Sequence, residues 1–316
     1  MELRLGVDLG GTKIEAVILR ATPDAFEIVA RVRAATERDK GYEHVVEATA
    51  RAIEEVTARA SLDRAPPIGV GMPVNVTMRR ADGAASDVPL VKNSNTTCLN
   101  GRPFRRDLEA RVGAPIAFAN DANCFALAEA TYGAAKDARV AFGVIMGTGV
   151  GGGVVVRDRS SGVAWAWDGA QGIAGEWGHV VLEPDGGASC YCGKRGCVET
   201  ILSGPSIERR YRERAGVARS VSEVAARRAT DADARFVLGD LVERFGRALS
   251  VVIDVLDPDV VVLGGGVSNL DLFYDEGAAS VARWIFNDEL RTRIVRHALG
   301  DSAGVIGAAL LTATER

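Results

Sequence analysis

Apolar and polar positions along this chain switch between two periods, and the switches mark its elements. Residues 3–9 are a short apolar run that predicts a strand, and residues 14–19 predict a second. The glycines between them, Gly10-Gly11, predict a hairpin turn. Residues 26–32 read as a third strand. Val45, Val46, Thr49, Ile53 and Val56 recur at helical spacing within 42–60, a stretch rich in Ala, Glu and Arg. Pro66-Pro67 ends that unit, and 68–71 predicts a short buried strand. Residues 73–100, full of Asn, Thr, Gly and Pro, read as loop. A helix over 103–112 with Pro near its start, a strand over 116–119 and a helix over 122–132 follow.

The hairpin pattern then returns, with strands over 140–146 and 152–156 around a glycine turn at 147–151. This echo predicts a duplicated unit. Residues 175–199 are irregular, and 205–256 are mostly helical. A buried strand at 260–263 is followed by a helix over 270–288, a strand over 293–296 and a last helix over 305–314. Strands alternating with helices predict an α/β fold.

Composition narrows the class. A length of 316 residues predicts two domains, each able to bury a core. Apolar residues at 47% and charged residues at 25% exclude wholesale disorder. A net charge of -4 gives none of the basic footprint of a nucleic-acid binder. No run approaches the roughly 18 apolar residues of a membrane span. The opening Met1-Glu2-Leu3-Arg4-Leu5 lacks a signal-peptide layout, which predicts a cytoplasmic protein.

Glycine, at 36 residues, exceeds the usual share of about 7%, and the excess is clustered. Cysteine is uneven too. Of five, Cys190, Cys192 and Cys197 sit within eight residues, while Cys98 and Cys124 stand alone and predict small buried hydrophobes. His179-x10-Cys190-x-Cys192-x4-Cys197 offers one imidazole and three thiolates, the set of a structural tetrahedral Zn²⁺ site. Gly193 and Gly196 allow the turns that would bring the thiolates together. The alternative is a loop of reduced, unliganded thiols. Four protein ligands leave no position for a substrate, so the metal reads as a fastener.

Asp8-x-Gly10-Gly11-Thr12-Lys13 lacks the spacing of a Walker loop and lies between two strands. Its backbone N–H groups can still cradle phosphate, and Asp8 can hold Mg²⁺ through water. Gly147-Thr148-Gly149 repeats the arrangement. Gly264-Gly265-Gly266 follows a strand and offers a flat surface for a base or ribose. Each alone is also what an ordinary tight turn looks like; together they predict nucleotide contacts.

These residues match a family. VDLGGTKIEAVIL at 7–19, ANDANCFALAEA at 119–130, MGTGVGGGV at 146–154 and GEWGH at 175–179 resemble the ROK sugar kinases. CYCGKRGCVET at 190–200, DPDVVVLGGG at 257–266 and GDSAGVIGAA at 300–309 extend the resemblance over nearly the whole chain. It implies a two-lobed, actin-like ATPase (ribonuclease H-like) fold with a structural zinc loop. The small lobe would take 1–118 plus the last helix, 303–316, and the large lobe 119–302. Nucleotide and sugar would meet in a cleft whose closure excludes water. Homodimers are common in the family.

The resemblance implies ATP-dependent phosphorylation of a hexose hydroxyl, with ATP, Mg²⁺ and structural Zn²⁺. Asp121 would be the general base, a role its carboxylate can fill by hydrogen-bond reach alone; otherwise it caps the helix that follows. Asn95, Asn120, Glu176, His179 and Glu199 would contact the sugar, His179 by the ring nitrogen that zinc leaves. Asp8, Gly10, Gly11, Thr12, Lys13, Gly147, Thr148, Gly149, Gly264, Gly265 and Gly266 would hold the nucleotide. Asn93 and Thr96 read equally as sugar contacts or as ordinary loop residues, and Trp165, Trp167 and Trp177 read as core, with stacking on a sugar face as the alternative. KNSNTTCLNGRPF at 92–104 and the GDSAGVIGAA tail at 300–309 look most like bacterial fructokinases of broad hexose specificity, so fructose is the expected sugar. N-acetylglucosamine, glucose and mannose are the alternatives. Pro73-Val74 stands where the family usually has Pro-Gly, in a loop near the sugar. A sugar-responsive regulator is the competing class; the glycine motif begins too early to leave room for a helix-turn-helix ahead of it.

Overall fold

The computed structural model describes residues 2–73, 75–94 and 96–313. Its elements follow the expected alternation. Strands β1 (Glu2–Leu9), β2 (Lys13–Ala21) and β3 (Phe26–Ala35) precede helix α1 (Tyr42–Arg59) and strand β4 (Ile68–Met72). Strands β5 (Asn75–Arg79) and β6 (Ala85–Lys92), helix α2 (Phe104–Val112), strand β7 (Ile116–Asn120) and helix α3 (Asp121–Tyr132) follow. Next come β8 (Val140–Met146), β9 (Val150–Arg157) and β10 (Ala164–Ala166), then α4 (Glu199–Leu202), α5 (Gly204–Ala215), α6 (Val221–Ala226) and α7 (Ala232–Leu256). β11 (Val260–Gly264), α8 (Glu276–Trp284), β12 (Arg293–Arg296) and α9 (Ala303–Leu310) complete the described chain.

The duplication is visible in the strand order. One five-stranded sheet runs β3-β2-β1-β4-β7 and the other β10-β9-β8-β11-β12, so each places its strands third, second, first, fourth, fifth. Each has antiparallel pairing on the hairpin side, as in β1–β2 and β9–β10. Each has parallel pairing on the other, as in β1–β4–β7 and β8–β11–β12.

Three segments depart from the periodicity reading. The expected loop at 73–100 contains the β5–β6 hairpin. Asp82-Gly83, with Gly83 at φ +85°, supplies its turn, a signal that the scatter of polar residues concealed. The expected helix at 270–288 shrinks to α8, preceded by a 3-10 turn at Asp271–Phe273. The short strand β10 went unread.

The chain divides into two compact units. Unit 1 is 1–136, 153–174 and 299–316; unit 2 is 137–152 and 175–298. This differs from an expected boundary at 118/119, because α3 packs against α9 and β7 and so stays with unit 1.

In unit 1, α9 lies directly on β1 and β4. Glycine makes that possible: a Cβ at Gly6 would stand 2.2 Å from the Val305 carbonyl oxygen, and one at Gly69 only 1.8 Å from that of Ala308. The apolar stripe of α1, with Val45, Ile53 and Val56 fully or nearly buried, joins Leu5, Val7 and Ile14 in the core. The carboxylate of Glu129, wholly buried on α3, accepts the N–H groups of Ala134 and Leu299 at 2.8 Å each. It thereby fixes both the end of α3 and the approach to α9.

In unit 2, α7 packs along α8, and its Phe245 ring lies 4.8 Å from that of Phe273 in the 3-10 turn before α8. Asp231 caps α7 by accepting from Asp233 and Ala234 N–H groups. Among the described residues, no helix is long and apolar enough to cross a membrane.

Candidate active site

The residues singled out by sequence fall into two groups, one in each unit. In unit 1 the β1–β2 turn is tight: Gly10 N–H donates to the Lys13 carbonyl at 2.9 Å. Thr36, at the end of the β3 segment, braces it. Its hydroxyl donates to Gly10 O at 2.7 Å, and its N–H to Thr12 O at 3.0 Å. Thr12 and Lys13 are exposed at the tip. The Lys13 ammonium is held 2.9 Å from Glu15, a buried carboxylate that also pairs with Arg31 and Arg33. Asp8 sits just below the turn. Burial pushes its carboxyl up to about 6, against the pull of Lys13. A divalent cation would offset that desolvation, so the residue fits the Mg²⁺ role.

Asn120 and Asp121 lie where β7 ends and α3 begins. The Ala122 N–H donates to Asn120 Oδ1 at 2.9 Å and to Asp121 Oδ1 at 2.8 Å. Asn120 is the N-cap and Asp121 the first helical residue, so the carboxylate faces the positive end of α3. Two residues further in, Asn123 Nδ2 donates to Asp168 at 2.6 Å, tying the 167–174 loop to the same helix end. Asn95 and Val74 lie outside the described residues. Thr96 is buried in the turn after β6, and Asn93 holds a left-handed conformation, φ +60°.

In unit 2 the second glycine turn and the sugar-contact candidates meet at Glu199, the first residue of α4. Its Oε2 accepts from the Val150 N–H at 3.0 Å, and its Oε1 lies 3.9 Å from Cys190 Sγ. A Cβ at Gly149 would stand 2.6 Å from Oε2, so glycine there keeps the place of the carboxylate. Gly147 N–H donates to Gly149 O, and Gly147 O accepts from Gly204 N–H. Thr148 is exposed at the tip. The third cluster closes β11. Gly265, at φ +80°, has its α-carbon so near β8 that a Cβ would be 2.4 Å from Met146 O, while Gly266 is exposed and faces open space.

The cysteine loop forms one compact cluster. The ligand atoms of His179, Cys190, Cys192 and Cys197 all lie within 4.8 Å of one another. Cys192 Sγ and Cys197 Sγ are 3.6 Å apart, too far for a disulfide, and Cys190 Sγ is 3.6 Å from His179 Nδ1. Tetrahedral bonds of about 2.3 Å to sulfur and about 2.0 Å to nitrogen span edges of about 3.5–3.8 Å. The donor set therefore fits Zn²⁺ in chemistry, and the two edges of 3.6 Å match the tetrahedral spacing. The other ring nitrogen, His179 Nε2, is 3.0 Å from the Tyr191 hydroxyl and 4.0 Å from Glu176 Oε2.

Trp177 is buried against Phe142, with its indole N–H on Gly151 O, as a core residue should be. Trp165 and Trp167 are instead exposed on and beside β10, a short strand with little to cover it. Cys124 is fully buried, whereas Cys98 is only half-buried at a 3-10 turn. Tyr191, Asn123 and Thr36 carry contacts that the sequence reading missed. The first two sat inside quoted motifs, but nothing in their spacing announced a partner far along the chain.

The comparisons agree with one another. The description "ROK family" matches residues 4–315. N-acetyl-D-glucosamine kinase of Vibrio cholerae is 34% identical over 319 residues, covering 97% of this chain and 98% of that protein. The ROK hexokinase of Thermus thermophilus superposes with a TM-score of 0.82 at 32% identity, covering 98% and 97% of the two chains. A ROK family glucokinase from Streptomyces griseus, solved with glucose and AMPPNP, gives a TM-score of 0.74 at 27% identity and 98% coverage of each. With a family match over nearly its whole length, this chain belongs to the ROK family, among its sugar kinases.

Proposed function

We propose that this chain phosphorylates N-acetyl-D-glucosamine with ATP. The observation that carries the choice of sugar is the 34% identity, end to end, with N-acetyl-D-glucosamine kinases. The fructose expectation, drawn from 92–104 and the 300–309 tail, finds no support among the matched relatives.

The chemistry follows from the residues present. Asp121 takes the proton from the attacking sugar hydroxyl as its oxygen bonds to the γ-phosphorus of ATP and the bond to the leaving ADP oxygen breaks. Glu176, His179 and Glu199 orient the sugar, with Asn120 beside the base. The glycine turns at 10–11, 147–149 and 264–266 and the exposed Lys13 take the nucleotide. Asp8 would hold Mg²⁺, which would supply charge neutralisation at the phosphates. His179, Cys190, Cys192 and Cys197 would hold a structural Zn²⁺, which would keep the loop that carries His179 and precedes Glu199 in place. The reading includes a cytoplasmic enzyme that works as a homodimer.

An ADP-release assay across N-acetyl-D-glucosamine, fructose, glucose and mannose tests it. The highest kcat/KM is expected for N-acetyl-D-glucosamine. A clear preference for another hexose would replace the sugar, and no turnover with any of them would remove the kinase reading altogether.

A further inference from the structure

We propose that Arg244, on helix α7, is a positioning residue for the metal centre: it clamps Glu183, whose main chain holds Gly196 and so sets where Cys197 stands beside His179. The proposal rests on the Zn²⁺ reading of the cysteine loop above and adds to it a residue outside that loop.

The loop folds on a short antiparallel pairing between two segments, and each segment carries or adjoins a ligand. His179 leads into 180–183, and Cys197 lies within 196–198. Val198 N–H donates to Val180 O at 3.0 Å, and Val181 bridges to Cys197. The Leu182 and Glu183 N–H groups both donate to Gly196 O, at 2.8 and 3.1 Å. The approach is closest at Glu183. A Cβ at Gly196 would stand 1.8 Å from the Glu183 carbonyl oxygen, and one at Gly187 would stand 2.5 Å from the same atom. Glu183 therefore packs main chain to main chain against the residue just before a ligand. A shift of Glu183 moves Gly196, and Cys197 with it.

Those bonds fix the pairing internally, and a cluster of charges fixes it to the helices. Glu183 Oε1 pairs with Arg244 Nη1, and Arg244 Nε lies 2.6 Å from Asp240 Oδ2, one turn back on α7. The same Asp240 oxygen accepts from Arg210 Nη2 on α5. Two carboxylates and two guanidinia thus form a chain with no net charge. Their side chains are 16–28% exposed, so water screens these pairs less than pairs on the open surface. The base is firm, since Leu241, Phe245 and Leu249 of α7 are wholly buried. A planar, forked cation meets Glu183 through one nitrogen and Asp240 through another in a fixed geometry, which an ammonium cannot do. Groups that orient ligands without touching a metal change its affinity by about 10–100-fold.

The test measures the Zn²⁺ affinity of the full chain by competition with a chromogenic chelator, beside the melting temperature of the metal-free protein. Arg244→Met and Glu183→Ala are each expected to weaken Zn²⁺ binding about tenfold. The double variant should also lose about tenfold rather than about a hundredfold, because either change opens the same clamp. Arg244→Lys keeps the charge but not the fork, so its affinity should fall between wild type and Arg244→Met; it carries the test if Arg244→Met does not fold. Arg228→Met breaks an ion pair with Glu276 elsewhere in the same unit and should leave Zn²⁺ affinity unchanged. Unchanged binding by either Arg244 variant would overturn the proposal. So would losses that multiply in the double variant, or an equal loss in Arg228→Met, which marks general destabilisation. Wild type that takes up no Zn²⁺ tells against the metal reading instead.

Discussion

A Cβ at Gly307 would stand 1.7 Å from the carbonyl oxygen of Cys124, so α9 can cross α3 only where it carries no side chain. One turn earlier the same face of α9 passes Asp8, where a Cβ at Gly304 would lie 3.2 Å from Oδ2. The glycines of the GDSAGVIGAA tail therefore have two jobs. One lets helices meet backbone to backbone, and the other leaves room beside a buried carboxylate.

Gly307→Ala is expected to destabilise the fold by about 3 kcal/mol or more, because the obstacle is backbone and cannot rotate away. Gly304→Ala should cost less than half of that, since the Asp8 side chain can shift by a few tenths of an ångström. Urea unfolding of both variants checks the ranking. Equal stabilities would refute the close-approach account.

Asp121→Asn should lower kcat by about 10²–10⁴ while leaving sugar affinity within about threefold. The amide keeps an oxygen for the Ala122 N–H at the start of α3, so thermal stability should match wild type. Stopped-assay kinetics together with calorimetry read both halves, and near-normal kcat would remove Asp121 as the base.

Asp8 makes stability depend on pH. Its folded pKa, about 6, lies above the ordinary 3.8, so the folded state holds the proton more tightly than the unfolded chain. Stability is then fully present below the unfolded value and falls as pH rises through about 6. The span corresponds to about 3 kcal/mol as an upper bound. Asp8→Asn should abolish this fall in metal-free protein, gaining on wild type between pH 4 and pH 7, yet lose most turnover. Denaturation midpoints across that range, with and without added Mg²⁺, test it, because the cation should restore wild type toward the variant.

The cysteine cluster should hold about one Zn²⁺ per chain through exhaustive dialysis. Cys197→Ser is expected to lose most of the metal and to lower the melting temperature, with sugar affinity falling alongside, since Glu199 and His179 are anchored to the same loop. Elemental analysis and thermal unfolding decide this. Full metal content in that variant would exclude Cys197 as a ligand.

The legible parts of the site were those whose chemistry is local in sequence. Gly10-Gly11 between two apolar runs specifies a tight turn. A histidine and three cysteines within nineteen residues specify a tetrahedral donor set. Asn120-Asp121 at a strand-to-helix step specifies a cap and a carboxylate at the helix mouth. The hairpin at 75–92 was missed because its one strong signal, Asp82-Gly83, sat among residues that also suit a loop. The compact units differ from the 118/119 division that the resemblance implied, because α3 packs on α9, a partner that spacing along the chain does not name.

By itself, then, the sequence determined the alternation of strands and helices, the repeated hairpin, the donor set and the family. Each depends on spacing along the chain, which backbone geometry turns into local structure. Tertiary structure alone decided that α3 stays with α9, that Glu199 bridges the 147–150 turn and the cysteines, and that Tyr191 rather than open space faces His179 Nε2. Those relationships join atoms far apart in sequence. Packing and hydrogen bonding choose such partners by distance in space, a quantity that periodicity does not carry.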